Sequence, residues 1–182
     1  MKLFLDIALR NIGWVLANED GSIYQCGVIK TAKDPDKKKS EDLVHRAMQI
    51  AGAMRKIVSE AAPDSIYSVV CESMSWPRDS SSAVAMAIAW GAVAASLSPL
   101  NGNSIAFIAT QTAKRHFTNK RDAEKIEVEN AVIAYYKQQY NDDINRFLVH
   151  LKNADREHVF DALAAGYTAM NQAKKPKRGK KQ

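Results

Sequence analysis

Only two cysteines, Cys26 and Cys71, occur among the 182 residues. Both fall in segments that read as strands, and they lack metal-ligand spacing. That excludes a disulfide scaffold or a cysteine-rich zinc site and leaves reduced core thiols of an intracellular protein. Glycine-rich phosphate loops are missing, which argues against a nucleotide-binding phosphotransferase. No apolar run is long enough to span a bilayer: the longest candidate, Ala83 to Leu97, is too short and too rich in alanine. Asp6 and Arg10 interrupt the opening Met1-Lys2-Leu3-Phe4-Leu5 before a signal-peptide core can develop, so the expected location is the cytoplasm. Internal repeats are also absent.

Acidic residues are missing from one end of the chain. Lys174 to Gln182 hold six of the 26 Lys and Arg and no Asp or Glu, which leaves a body balanced at 20 basic against 20 acidic residues. Such a segment has nothing to bury, so a disordered basic tail over 173–182 is expected after one domain over 1–172. It reads equally as a solubilising tail or as a phosphate-binding arm. With 46% hydrophobic residues, the body can form one real core.

Lys2 to Leu9 reads as a strand, Asn11-Ile12-Gly13 as a turn, and Trp14 to Ala17 as a second strand. Asn18-Glu19-Asp20-Gly21 is a hairpin signal leading to a third strand, Ser22 to Thr31. After a polar loop, Ser40 is the expected cap of a helix from Glu41 to Ala61, where Leu43, Ala47, Ile50, Met54, Ile57 and Val58 recur at helical spacing. Pro63-Asp64 ends it. Ile66 to Cys71 reads as a buried strand and Ser80 to Leu97 as a helix of small residues. Ile105 to Ile108 reads as a short strand, followed by helices at Thr110–Phe117, Asp122–Tyr140 and Asp155–Gln172. The pattern predicts an α/β fold: a mixed sheet, three antiparallel strands and then parallel ones, between helices.

Against this background four residues stand out. Asp6 and Glu72 end two apolar strands, and His158 and Asp161 lie one helical turn apart. Asp161 is flanked by Val159, Phe160, Ala162 and Leu163. Carboxylates at the ends of buried strands are costly unless a cation or partner neutralises them. Hard oxygen donors on rigid neighbouring elements suit divalent cations, and paired cations cut phosphodiesters. Taken singly, each residue has an ordinary alternative as a turn, loop or surface group. Glu157 and Asp161 share a helix face as readily as His158 and Asp161 do, so spacing leaves that choice open.

Four motifs carry a resemblance to a known family. Leu5-Asp6-Ile7-Ala8-Leu9-Arg10-Asn11-Ile12-Gly13-Trp14 looks like an acidic strand followed by the turn glycine of a hairpin. Pro63-Asp64 leads to Val69-Val70-Cys71-Glu72. Gln111-Thr112-Ala113-Lys114 precedes Ala123-Glu124-Lys125, and His158-Val159-Phe160-Asp161-Ala162-Leu163-Ala164 closes the set. In order and spacing these resemble the RuvC family of Holliday-junction resolvases, within the RNase H-like superfamily, from Lys2 to about Met170. Two departures are evident. Many members carry glycine where this chain has Ile7-Ala8-Leu9, and Thr118-Asn119-Lys120-Arg121 lacks the usual glycines. These bear on sequence preference and junction grip and spare the four ligand positions.

The resemblance implies a five-stranded RNase H-like sheet with helices on both faces. It implies a homodimer that binds four-way DNA junctions and nicks two opposing strands, leaving 5′-phosphate and 3′-hydroxyl ends. Two Mg2+ ions per site, replaceable by Mn2+, would be held by Asp6, Glu72, His158 and Asp161; the family pattern favours His158 over Glu157. Lys114 and Lys125 would contact DNA, with Arg78, Lys120 and Arg121 beside them, although without the resemblance the lysines read as solvated helix residues. Trp76 would stack in the junction centre, with core burial as its alternative. The small-residue helix around Gly91 would pack on its own sheet or on a twin. Competing expectations are a related nuclease for other branched DNA or RNA/DNA hybrids, and a non-catalytic branched-DNA-binding module. A branch-migration motor as partner is neither implied nor excluded.

Overall fold

The computed structural model describes residues 1–61, 66, 68–73, 79–97 and 104–174. Five strands, β1 (Lys2–Ile7), β2 (Asn11–Ala17), β3 (Ile23–Lys30), β4 (Ser68–Glu72) and β5 (Ser104–Ile108), form one sheet in the order β3-β2-β1-β4-β5. The first three pair antiparallel, and β4 and β5 add in parallel, as the sequence pattern predicts. The helices are α1 (Lys39–Glu60), α2 (Ser80–Ser96), α3 (Thr110–Thr118), α4 (Lys125–Tyr140), α5 (Asn145–Leu148) and α6 (Asn153–Lys174).

Strand alternation divides the core. Leu3, Leu5, Ile12, Leu16, Val69 and Cys71 pack against α1 and α2 on one face. Phe4, Val15 and Val70 pack against α6 and its neighbours α3 and α4 on the other. Successive side chains of a strand point to opposite faces. Asp6 therefore shares the α6 face with Phe4, and Glu72 shares it with Val70. Both carboxylates are delivered to the same helix by parity alone.

Several local expectations are corrected. Gly13 is not a turn residue; it lies inside β2, paired with Asp6. The chain reverses earlier, at residues 8–10, where Ala8 N–H donates to Asn11 O at 3.2 Å, so β1 stops at Ile7 rather than Leu9. The cap of α1 is not Ser40: the helix starts at Lys39, and the Glu41 carboxylate accepts the Lys38 N–H at 3.2 Å. The helix expected from Asp122 begins at Lys125, where Glu127 accepts the Glu124 N–H at 2.9 Å. The one-turn α5 was not anticipated. The Asp20-Gly21 hairpin does form, with Gly21 at φ +99°. Cys26 and Cys71 are buried and unpaired, and burial pushes both thiols up to about 12. Among the described residues no helix is long and apolar enough to cross a membrane.

Candidate metal and nucleic-acid site

Parallel pairing sets Leu5 beside Cys71, so the next residues, Asp6 and Glu72, leave the ends of β1 and β4 side by side. On β2, Gly13 pairs with Asp6, and a Cβ at Gly13 would lie 2.0 Å from the carbonyl oxygen of His158. The missing side chain lets α6 settle against the sheet at that point. Asp161, one turn further along, then reaches the two strand ends. Oxygen atoms of Asp6, Glu72 and Asp161 all lie within 4.8 Å of one another.

Three carboxylates this close are poorly compensated. Burial, together with the charges of Asp6 and Asp161, raises Glu72 to about 7, although a hydrogen bond from Thr110 Oγ1 and the charge of Lys114 oppose the rise. Burial and Asp6 raise Asp161 to about 6. Both shifts mark a place where negative charge lacks a counterion. Buried oxygen donors from three rigid elements fit a hard divalent cation.

His158 faces this cluster and Glu157 does not. Nδ1 of His158 lies 2.9 Å from Asp6 Oδ2, and Nε2 lies 3.0 Å from the Asn11 side-chain amide. The hydrogen bond to Asp6 raises the imidazole above its ordinary value. Glu157 instead pairs with Lys125 at 2.8 Å. That contact, and the 2.7 Å bond from Lys114 Nζ to Ala123 O, ties both lysines down at the rim of the cluster. Lys114 is half-buried, whereas Lys125 stays exposed on its helix. Lys120 pairs with Glu127 at 2.5 Å, and Arg121 is exposed. Trp76 and Arg78 lie outside the described residues, as does the tail from residue 175.

Sequence reasoning missed Thr110 and Asn11. Thr110 follows β5 and caps nothing, and Asn11 read as a turn residue. Only the strand order places Thr110 over Glu72 and Asn11 over His158.

The raised groups have a measurable consequence. Free of metal, folded Glu72, Asp161 and His158 all hold protons more tightly than in the unfolded chain, whose values are near 4.5, 3.8 and 6.5. Between about pH 4 and 7 the native state therefore binds more protons, and its stability declines as pH rises through that window. Asp20, Asp34, Asp79 and Glu127 are shifted downward, so their contributions change below about pH 5, and the Met1 ammonium, held below its ordinary value by burial, opposes the trend as pH nears 8 without matching three raised groups. Thermal unfolding in chelator should give a higher Tm near pH 5.5 than near pH 8, and Mg2+ or Mn2+ should restore stability at pH 8. A Tm in chelator that rises across this interval would count against the charge cluster.

No protein-family model matches the chain, and no curated protein sequence does. Solved structures do match. A Thermus thermophilus RuvC in complex with a Holliday junction substrate is 20% identical, with 94% of this chain and 93% of that one covered at a TM-score of 0.67. Another Thermus thermophilus RuvC structure is 19% identical, with 94% of each chain covered at a TM-score of 0.64. The yeast mitochondrial Holliday junction resolvase is 10% identical over 92% of this chain and 77% of that one, at a TM-score of 0.53. The fold implied by the sequence motifs is thereby found, a mixed RNase H-like sheet of five strands.

Proposed function

We propose that this chain is a structure-selective endodeoxyribonuclease that resolves four-way DNA junctions by paired symmetrical nicks. The observation that carries the proposal is the convergence of Asp6, Glu72 and Asp161 within 4.8 Å at the end of β1, the end of β4 and on α6. The fold shared with a RuvC bound to a Holliday junction supports the choice of substrate. The three carboxylates and His158 would hold divalent cations, two by analogy with paired-metal nucleases and Mg2+ by its preference for hard oxygen donors. When bound, the cations activate a water and neutralise charge on the cleaved phosphate and the departing oxygen.

The protein's own groups prepare that chemistry. Thr110 donates to Glu72 and fixes which carboxylate oxygen stays free. As placed, the Asn11 amide nitrogen faces Nε2, which suits a proton on Nδ1 donated to Asp6; turning the amide to present its oxygen would accept an Nε2 proton and free the Nδ1 lone pair for a cation. Lys114 and Lys125 place positive charge beside the acids, where the backbone of a bound strand would lie. Products would be a 5′-phosphate and a 3′-hydroxyl.

Paired nicks call for two sites, and α2 offers a surface for a twin. Ala89 and Val93 turn inward, whereas Val84, Ala87 and Gly91 are exposed at helical spacing, with Val44 and Met48 of α1 also exposed. Among the described residues, nothing outside the helix's own backbone lies within 4 Å of a Cβ built on Gly91. A homodimer across this face is part of the proposal.

The test is a labelled synthetic four-way junction incubated with purified protein and Mg2+ or Mn2+, beside flapped DNA, linear duplex and an RNA/DNA hybrid. Two symmetrical nicks confined to the junction are expected. Cleavage of the hybrid or flap alone would move the chain to a related nuclease activity. Tight junction binding with no metal-dependent cleavage would make it a binding module.

A further inference from the structure

Lys114 and Lys125 would hold DNA on the α3–α4 side of the carboxylates. On the other side of β1 lies a polar cleft of about 550 Å3 to which nothing above gives a role. Its walls come from the β1–β2 turn, the residues ending β3 and the start of α6. They meet because β1 ends, β2 begins and β3 ends at one edge of the antiparallel sheet. His158 belongs to the cleft wall and also bonds Asp6, so a single imidazole lies between the cleft and the carboxylate cluster.

The charges lining it do not cancel. Of the two acids in the wall, Asp155 is held by Lys30 at 2.6 Å and Glu157 by Lys125 at 2.8 Å. Arg10 and Lys152 remain, both exposed and neither with an acidic partner among the described residues. Two unpaired cations facing one polar cleft suit a phosphate, for which the guanidinium offers a planar fork and the ammonium a point charge.

We infer that Arg10 and Lys152 bind a backbone phosphate neighbouring the one that is cut, so that the DNA strand is gripped on both sides of the carboxylate cluster. The inference rests on the nuclease reading above and adds a contact that the reading does not require.

Binding of a fluorescent four-way junction would be titrated against salt without divalent ions, for the parent, for Arg10→Ala/Lys152→Ala, and for Arg55→Ala/Lys137→Ala. The last pair removes equal charge from exposed positions on α1 and α4. The slope of log affinity against log salt should fall by about one unit for the cleft pair, the loss of one phosphate contact, and stay near the parent's for the remote pair. In a parallel scan needing no substitution, a single neutral methylphosphonate is moved along the junction strands around the nick. The parent should lose affinity at one phosphate beside the cut, and the cleft variant should be indifferent to it. An unchanged slope in the cleft variant, equal slope changes in both pairs, or no sensitive phosphate would each overturn the inference and leave the nuclease reading standing. A parent that neither binds nor nicks junctions would overturn both.

Discussion

Asp161→Asn is expected to lower single-turnover nicking of a four-way junction at least about a thousandfold, equivalent to roughly 4 kcal/mol of transition-state stabilisation. Asparagine keeps the shape and one oxygen but removes the charge that would hold a cation beside Asp6 and Glu72. The same substitution should leave the metal-free protein at least as stable as the parent at pH 8. Burial and Asp6 push the Asp161 carboxyl up to about 6, so ionising it in the fold costs up to about 3 kcal/mol that a neutral amide avoids. Lost catalysis with retained or raised Tm separates a charge held for function from one held for structure. Asp6→Asn should abolish nicking equally, because its amide oxygen still accepts from His158 but brings no charge to the cations. Junction affinity measured in chelator should survive both changes. Parent-like nicking by either variant would refute the ligand assignment, as would a parent-like rise in Tm of Asp161→Asn on adding Mn2+.

How far the sequence carried this site can be traced residue by residue. Asp6 and Glu72 were legible because each ends an apolar strand, and strand parity then dictates a common face. Asp161 was legible from its apolar neighbours. The choice between Glu157 and His158 was not, since both are helically spaced with Asp161 and only the docking of α6 turns His158 toward Asp6 and Glu157 toward Lys125. Thr110 and Asn11 gave no signal, because their partners are 38 and 147 residues away and no local pattern encodes such contacts. Helix starts moved by two or three residues for a similar reason: Glu41 reaches back to the Lys38 N–H, before the expected cap Ser40, and Glu127 to the Glu124 N–H, after the expected start Asp122. Trp76 and Arg78, drawn from family resemblance, lie outside the described residues.

Gly13 was the most instructive misreading, and it carries the second large prediction. As a turn residue it would tolerate any small side chain at little cost. As a strand residue beneath α6 it tolerates none, because a Cβ there would lie 2.0 Å from His158 O, 2.3 Å from its carbonyl carbon and 2.9 Å from its Cβ. Two of those atoms are backbone of a long buried helix, so relief requires moving α6 rather than turning a side chain. Gly13→Ala should cost about 3 kcal/mol or more by overpacking, which in a chain of this size lowers Tm by about 6–12 °C. The displaced helix carries His158 and Asp161 away from Asp6, so nicking should fall by about a hundredfold or more even at temperatures where the variant stays folded. Gly52→Ala supplies the contrast: on α1, with none of the described residues within 4 Å of the added Cβ beyond the helix's own backbone, it should gain up to about 1 kcal/mol from reduced unfolded-state entropy. If Gly13→Ala instead melted and nicked like the parent, α6 would not rest on β2 at this point, and the route by which the fold brings Asp161 to the strand ends would be wrong.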